Sequence, residues 1–304
     1  MRELNFIEWI RSQRECDPAV VPVGPGDDCA VVRVGEERLC VSTDQLLDGV
    51  HFELARFGAE AMGRKAMARA LSDLAAMAAA PLAAVATVAL PRGFPEEDAH
   101  ALYRGRRSVS DTVGCPMVGG DVGSWDGPAA IGVTVFGRPD GLEPVLRSGA
   151  RPGDAICVTG SLGGAWLTDR HLTFLPRVAE ARELARREET HAMIDISDGL
   201  AIDLWRICRA SGVGAEIEAA AVPIAPEATA GRDIEPLEAA LGDGEDYELL
   251  FTLPPDRADE LVRHPPKHVT VTRIGVVVPT EDMTLIDFDG RRRPLEPTGW
   301  EHIT

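Results

Sequence analysis

The sequence has little positive charge, and this scarcity narrows the classes of function open to it. Its 304 residues contain 31 Lys and Arg against 49 Asp and Glu, which gives a formal net charge of −18 at pH 7. Sequence-independent binding to nucleic acid requires a basic face, and so does attachment to an anionic membrane surface. The composition therefore argues against both nucleic acid and membrane as partners.

Cysteine pairs and long hydrophobic runs are also missing. No CxxC pair occurs among the six cysteines, and the longest nearly uncharged stretch, 74–91, is interrupted by Pro81. These features predict buried thiols in a reducing compartment and no membrane span. The first residues, MRELNFIEWIRSQ, are typical of a short amphipathic helix and not of a signal peptide. We therefore expect a cytoplasmic protein.

The common phosphate-binding and catalytic motifs are absent as well. The chain contains no GxxxxGK[ST], no complete GxGxxG, no HExxH and no HRD/DFG pair. An enzyme that binds a polyphosphate without a P-loop must neutralise its charge in another way, and metal ions held by carboxylates do so. We therefore expect any polyphosphate-binding site of this protein to be formed by acidic residues.

Apolar runs of strand length come in groups with single helices between them, which predicts a two-domain α+β fold. The Gly-, Pro- and Arg-rich stretch 137–154 is the candidate boundary, so we expect an N-terminal domain at 1–140 and a C-terminal α/β domain at 141–304. Helices are predicted at 59–79, 96–112, 179–187 and 198–211. Strands are predicted at 30–34, 39–42, 83–90, 129–136, 155–159, 192–196, 214–217, 247–253 and 269–278, with a hairpin at 283–293.

Six acidic sites lie where an apolar element meets a loop. Taken singly, each has an ordinary explanation: a turn, a strand end, or a helix cap such as Ser197. Together they are hard to explain as surface charge. The sites are Asp27-Asp28, Ser42-Thr43-Asp44, Asp73, Gly119-Gly120-Asp121, Asp195 with Ser197 and Asp198, and Glu245-Asp246.

Two of these acids stand in apolar surroundings that solubility does not explain. Asp73 lies in the helical stretch ALSDLAAMAAA, and Asp195 lies inside the predicted strand of AMIDISDGL. A buried carboxylate needs a proton, a base or a metal, and Arg69 is a possible partner for Asp73. Carboxylates that converge from distant parts of a chain are how proteins hold several Mg²⁺ ions around a polyphosphate. The residues thus predict a magnesium-dependent enzyme that transfers a phosphoryl group from ATP.

The motifs, in this order and spacing, resemble the thiamine-monophosphate kinase family. They are GPGDDCAVV, VSTDQLLDGVHF, LSDLAAMAA, VGGD, LRSGARPGD, MIDISDGL, GEDYELLFT and the terminal GWEHI. The family belongs to the superfamily of aminoimidazole ribonucleotide synthetase and selenophosphate synthetase. The resemblance implies ATP-dependent phosphorylation of thiamine monophosphate to thiamine diphosphate by direct transfer. It also implies a homodimer paired through the N-terminal sheets, with active sites in clefts between the two domains.

The resemblance also implies roles for individual residues, with Asp44, Asp121 and Asp198 as catalytic residues. Thiamine would be held by His51, Glu245 and Trp300, and a cationic ring suits both an acid and an aromatic face. The ATP contacts would be Tyr103, Gly120, Asp121, Arg147 and Ser197. The ligands of several Mg²⁺ ions would be Asp28, Ser42, Thr43, Asp44, Asp73, Asp121, Asp195 and Asp198.

Some positions depart from the family pattern, and other functions compete. Pro25 and Val122 replace the usual residues beside GDD and GGD, Asp243 replaces the first glycine of GGED, and the segment 161–176 is short. One alternative is another ATP-using enzyme of the superfamily. Cys16 lacks the context of the reactive cysteine of a selenophosphate synthetase, and the chain ends HIT, without the terminal cysteine of the hydrogenase-maturation branch. A catalytically idle nucleotide- or metal-binding dimer is the other, and it predicts a damaged acidic site.

Overall fold

Five strands from the first half of the chain form a mixed sheet. The computed structural model of the protein describes residues 3–13, 16–187 and 189–300. The strands are β1 Ala30–Val34, β2 Glu37–Leu47, β3 Ala80–Pro91, β4 Met117–Trp125 and β5 Ala130–Arg138. Their order is β1-β2-β5-β3-β4, and all neighbours are antiparallel except β3 and β4. Strand β4 is therefore an edge strand.

Three helices accompany this sheet: α1 Glu3–Ser12, α2 Leu54–Ala76 and α3 Glu96–Val113. Helix α2 packs on strands β2 and β5, and helix α3 packs on helix α2. Alternate residues of strand β5 are buried, because one face of the sheet meets helix α2.

Helices α2 and α3 cross at two glycines. A Cβ atom on Gly63 would lie 2.0 Å from the backbone oxygen of Leu102, and one on Gly105 would lie 1.9 Å from the backbone oxygen of Glu60. Only residues without a side chain permit this backbone-to-backbone contact.

Seven strands from the second half form another mixed sheet. They are β6 Ala155–Thr159, β7 Ala192–Asp195, β8 Gly214–Glu218, β9 Leu249–Leu253, β10 Val271–Val278, β11 Met283–Ile286 and β12 Arg292–Pro294. The order is β12-β11-β8-β10-β6-β9-β7, with β8 and β11 parallel and all other neighbours antiparallel. Strands β6 and β9 are buried along their whole length, which explains their continuous apolar sequences.

The second half also contributes helices. They are α4 Arg170–Thr173, α5 Val178–Arg187, α6 Leu200–Ser211, α7 Pro236–Gly242 and α8 Pro255–Arg263, with a 3₁₀ turn at Ala219–Ala221. Helix α2 of the first half contacts helices α4 and α5 and strand β7 of the second. Helix α2 therefore lies between the two sheets, and its side chains reach groups from both halves.

The structure confirms the predicted α+β class and excludes three of the ordinary explanations offered for the acidic sites. Residues 119–121 lie inside strand β4 and not in a turn. Residues 42–44 do not end strand β2, which continues to Leu47. Ser197 does not cap helix α6, which begins at Leu200 without a side-chain cap. The division into 1–140 and 141–304 stays a prediction.

Within the ranges that the structure describes, no helix has the length and apolar character needed to cross a membrane.

Candidate active site

Three carboxylates from different parts of the chain converge between the two sheets. Asp28 precedes strand β1, Asp73 lies on helix α2 and Asp195 ends strand β7. One oxygen of each lies within 4.8 Å of the others. Asp28 and Asp195 are buried, and Asp73 is partly buried. Of the acids predicted from sequence, these three form the centre of the site.

The cluster is electrostatically unfavourable by itself. Burial, followed by the charge of Asp28, raises the pKa of Asp195 to about 8. Burial, followed by the charges of Asp195 and Asp44, raises the pKa of Asp73 well above its ordinary range. Like charges in a buried site disfavour one another's ionised form, and a bound cation removes that penalty.

The donor set suits a hard cation such as Mg²⁺. The hydroxyl of Ser42 donates to Asp73, and that of Ser72 donates to Asp195 Oδ2 at 2.5 Å. Asp28 Oδ2 is buried and finds no hydrogen-bond partner in the described part of the chain. Oxygen ligands with an unsatisfied buried carboxylate are the groups that Mg²⁺ coordinates. The residues therefore fit the predicted metal.

Arg147 closes one end of the cluster. Its Nη2 donates to Asp28 Oδ1 at 2.5 Å, and its backbone N–H donates to both carboxylate oxygens of Asp27 at 3.2 Å. Its Nε is buried without a hydrogen-bond partner among the described residues. Arg147 is thus oriented by two acids and keeps a free donor.

Helix α2 forms one wall of the site. Lys65, Arg69 and Asp73 are spaced four residues apart, so they share one face of the helix. Arg69 Nε and Nη2 donate to the two oxygens of Asp44 at 2.8 and 3.1 Å. The possible salt bridge between Arg69 and Asp73 does not form, because Arg69 pairs with Asp44 instead.

The far end of this wall is a buried ion pair. Lys65 is fully buried and forms a salt bridge with Glu245. It also donates to the backbone oxygen of His51 at 2.7 Å and lies 2.8 Å from His171 Nδ1. The Lys65 ammonium lies 4.9 Å from the centre of the Trp166 ring.

Burial and neighbouring charges act in opposite directions on the pKa of each member of this ion pair. Burial lowers the pKa of Lys65 to about 8, although the charge of Glu245 opposes this change. Burial alone would raise the pKa of Glu245, but hydrogen bonding and the positive charges of its neighbours lower it to about 2. Both groups are therefore predominantly ionised at pH 7. Lys65 was not singled out from the sequence, although its spacing of four from Arg69 could have placed it on this face of the helix.

The loop that carries Asp198 is held by residues that the sequence reasoning missed. Asp203 accepts hydrogen bonds from the backbone N–H groups of Asp198 at 3.1 Å and Gly199 at 3.2 Å. Arg206 Nη2 contacts Asp198 Oδ2 at 2.7 Å and also pairs with Asp203. The backbone N–H of Trp300 donates to the backbone oxygen of Asp198 at 2.9 Å. Asp203 and Arg206 lie on the first two turns of helix α6. The free N–H groups of the first turn stabilise an acid there.

Several predicted residues lie on the exposed surface of the first sheet and its helices. Gly120 and Asp121 are on the exposed edge strand β4, and two strands separate it from strand β2, which carries Asp44. Neighbouring strands are about 4.8 Å apart, so this separation is about 14 Å. Tyr103 is exposed on helix α3, and the hydroxyl of Thr43 pairs with Thr134 at 3.0 Å. None of these residues belongs to the group of three carboxylates whose oxygens lie within 4.8 Å of one another.

The predicted thiamine contacts have different environments. His51 is buried, and its Nδ1 accepts the backbone N–H of Leu47 at 3.1 Å, so it is not a surface residue. Glu245 faces Lys65 and Arg69. Trp300 is 52% exposed, which excludes a core packing role.

Asp243 and the short segment 161–176 belong to the supporting structure. Asp243 accepts hydrogen bonds from the Arg232 guanidinium at 2.5 and 3.0 Å and from the backbone N–H of Gly164 at 3.0 Å. Arg64 of helix α2 donates to the backbone oxygens of Thr173 at 2.5 Å and Phe174 at 2.8 Å. These bonds attach the segment to both halves of the molecule.

Comparisons of the sequence and of the structure with known proteins agree with one another. Models of the N-terminal and C-terminal domains of AIR synthase related protein match residues 26–138 and 151–288. Thiamine-monophosphate kinase of Rhodopirellula baltica is 40% identical over 91% of this chain and 89% of its own. That of Escherichia coli K12 is 36% identical over 98% of this chain and 96% of its own. The solved structure of AaThiL complexed with AMPPCP and TMP has a TM-score of 0.84 and 30% identity, covering 99% of this chain and 97% of that one.

Proposed function

The chain belongs to the thiamine-monophosphate kinases of the AIR synthase related family, and we propose that it transfers the γ-phosphoryl group of ATP directly to the phosphate of thiamine monophosphate. The product would be thiamine diphosphate. The observation that carries this proposal is the buried cluster of Asp28, Asp73 and Asp195, which has an arginine near each end and suits a metal-bound polyphosphate.

Mg²⁺ is the metal that we propose for this cluster. Asp28, Asp73 and Asp195 would hold it, with Ser42, Asp44 and Asp198 as the further ligands nearby. Bound there, Mg²⁺ would offset the negative charge that the phosphates bring to the site. We propose that Arg147 contacts ATP, which its free Nε beside Asp28 supports, and that Ser197 contributes at the same end.

The transfer requires no general base. The attacking oxygen belongs to a phosphate monoester, which is already ionised at neutral pH. The residues of this site therefore act by positioning the two phosphates and by stabilising charge. We expect no covalent phosphoenzyme, and a stoichiometric phosphoprotein trapped with labelled ATP would contradict direct transfer.

The thiamine end of the site would be formed by His51, Glu245 and Trp300. The exposed aromatic face of Trp300 and the ionised carboxylate of Glu245 suit a cationic ring. His51 would act through its backbone, which accepts the hydrogen bond from Lys65.

A homodimer is the assembly that we propose. Strand β4 is an exposed edge on which Val118 and Val122 are 64% and 72% exposed, and such an edge is normally covered. A second copy covering this sheet would bring the remaining predicted residues of strand β4 and helix α3 into an interface. We also propose a cytoplasmic location, since all six cysteines are free and five of them are buried.

One assay tests the reaction. The purified protein is incubated with ATP, Mg²⁺ and thiamine monophosphate, and thiamine diphosphate is measured by chromatography. We expect product that requires all three components, and an Asp195→Asn variant that forms far less of it. Hydrolysis of ATP without formation of thiamine diphosphate would overturn the proposal.

A further inference from the structure

We propose that Arg69 binds the phosphate of the acceptor substrate and exchanges its ion pair with Asp44 for that phosphate. The acceptor is taken to be a phosphate monoester of a cationic alcohol, so this inference rests on the proposed function. Arg69 would then be a specificity-determining residue that distinguishes the phosphorylated substrate from its parent alcohol.

The position of Arg69 supports this role. On helix α2 it lies one turn from Asp73 of the carboxylate cluster and one turn from Lys65, which pairs with Glu245. Four residues of helix rise by about 6 Å. Arg69 therefore lies between the proposed metal site and the proposed thiamine end. The acceptor phosphate must occupy this interval, because it has to meet the γ-phosphoryl group while its ring reaches the far end.

Arg69 also has a free donor. Asp44 accepts from Nε and Nη2. Nη1 is buried and has no hydrogen-bond partner among the residues described, and it lies 3.9 Å from Glu245 Oε1. Arginine has a planar fork of donors that matches a phosphate in bidentate fashion. Rotation of the guanidinium toward a phosphate would satisfy Nη1 and release the oxygens of Asp44.

The other nearby cations are paired with acids as Arg69 is, but among the described residues none of them has an unpaired buried donor in this interval. Lys65 is fully buried, where it contacts Glu245, His171 and the backbone of His51. Arg206 pairs with Asp198 and Asp203, and Arg147 lies at the opposite end beside Asp28. A phosphate monoester carries a charge of about −1.5 to −2 at pH 7 and enters a site lined by acids. Arg69 is the cation placed to balance it.

The experiment compares two ligands on one protein. Thiamine monophosphate and thiamine are titrated separately by calorimetry into the full chain with Mg²⁺ and a non-hydrolysable ATP analogue. The proteins are wild type, Arg69→Gln, Arg69→Lys and the control Arg56→Gln. Arg56 lies on the same helix with its side chain 51% exposed, so the control makes the same charge change away from the site.

We expect the preference of wild type for the phosphorylated ligand to fall about 10- to 100-fold in Arg69→Gln, the range for losing charged hydrogen bonds. Thiamine affinity should stay within about twofold. Arg69→Lys should lose part of the preference, because an ammonium keeps the charge without the fork. The control should keep the full preference.

Two outcomes would overturn the inference. One is an unchanged preference in the Arg69 variants, and the other is an equal loss of affinity for both ligands. Either would make the Arg69–Asp44 pair structural. If Arg69→Gln does not fold, the preference of Arg69→Lys for thiamine monophosphate over thiamine tests the inference instead. If wild type makes thiamine diphosphate and the Arg69 variants keep the preference for thiamine monophosphate over thiamine, only the role of Arg69 is rejected. If wild type makes no thiamine diphosphate, the proposed function itself is rejected.

Discussion

Helix α2 and the loop 243–248 face each other across the site and hold their charged side chains in different ways. The helix aligns Lys65, Arg69 and Asp73 by its regular period alone. The loop relies on backbone conformations that residues with side chains seldom adopt, since Glu245 and Tyr247 have φ angles of 72° and 50°. Each such residue costs on the order of 1–3 kcal/mol.

The loop keeps this conformation because its surroundings hold it. The backbone N–H of Glu245 donates to the backbone oxygen of Ser197 at 2.7 Å, and that of Tyr247 donates to the backbone oxygen of Ile196 at 2.8 Å. Between them Asp246 is buried and accepts from the backbone N–H of Gly163 at 2.8 Å. The comparison indicates that the helix positions its charged side chains by local geometry, whereas the loop depends on tertiary support.

The strongest test of this comparison changes the helix wall at Asp73. Asp73→Asn should lower kcat by about 10²-fold or more, because a ligand of the proposed metal is lost. The same variant should be more stable than wild type in EDTA, by about 1–3 kcal/mol, since it removes one of three crowded acids. Turnover assays and calorimetric melting measure the two effects.

Asp98→Asn, on the exposed first turn of helix α3, is the control and should change neither quantity. Normal turnover of Asp73→Asn at saturating Mg²⁺ would show that this carboxylate is not part of the catalytic wall.

The loop wall is tested at Glu245, where the main effect should be on stability. The pKa of Glu245 falls from its ordinary 4.5 to about 2, so its ionised form stabilises the protein. This contribution, on the order of 3 kcal/mol, is complete above pH 4.5 and is lost as the pH falls toward 2. Urea unfolding of Glu245→Gln and wild type should therefore differ at pH 7 and converge near pH 2–3.

The double variant Lys65→Met/Glu245→Gln should recover part of the loss, because no buried charge is then left unpaired. A stability difference that does not vary with pH would mean that the ion pair is not its source.

The smallest effect is expected at Asp243, which lies in the same loop region but supports it from outside. Asp243→Asn should lower stability by about 0.5–1 kcal/mol, because its pair with Arg232 is partly exposed. The KM for thiamine monophosphate should stay within about twofold, a factor worth less than about 0.5 kcal/mol. Thermal melting and steady-state kinetics measure these changes, and a large rise in KM would show that the Asp243 charge reaches the substrate.

The sequence predicted the parts of the fold that local pattern controls. Strands β1 and β6 begin and end where predicted, because turn residues bound their apolar runs. Strand β4 was missed, since an exposed edge strand with the sequence MVGGDVGSW has no buried face to produce an alternating pattern. The predicted strand at 247–253 begins only at Leu249, because Tyr247 takes the left-handed conformation.

The sequence indicated acids of the candidate site and also Arg147, but not how the bases pair with the acids. Asp28 stands before an apolar run, and Asp73 and Asp195 stand within apolar stretches, so the sequence alone indicated these three acids. Which base pairs with which acid depends on the packing of the two sheets around helix α2, and sequence spacing suggested the wrong partner for Arg69. The support that Asp203 gives to the Asp198 loop likewise depends on side-chain direction and not on residue type.

The glycine crossing of helices α2 and α3 means that damage to the enzyme can arise where no ligand binds. Gly63 lies six residues before Arg69, about 9 Å along the helix axis. A methyl group at Gly63 or Gly105 would push the two backbones apart. Helix α2 would then shift and carry Lys65, Arg69 and Asp73 with it as one unit. A screen for inactive variants should therefore mark two positions that have no side chain to contact a substrate.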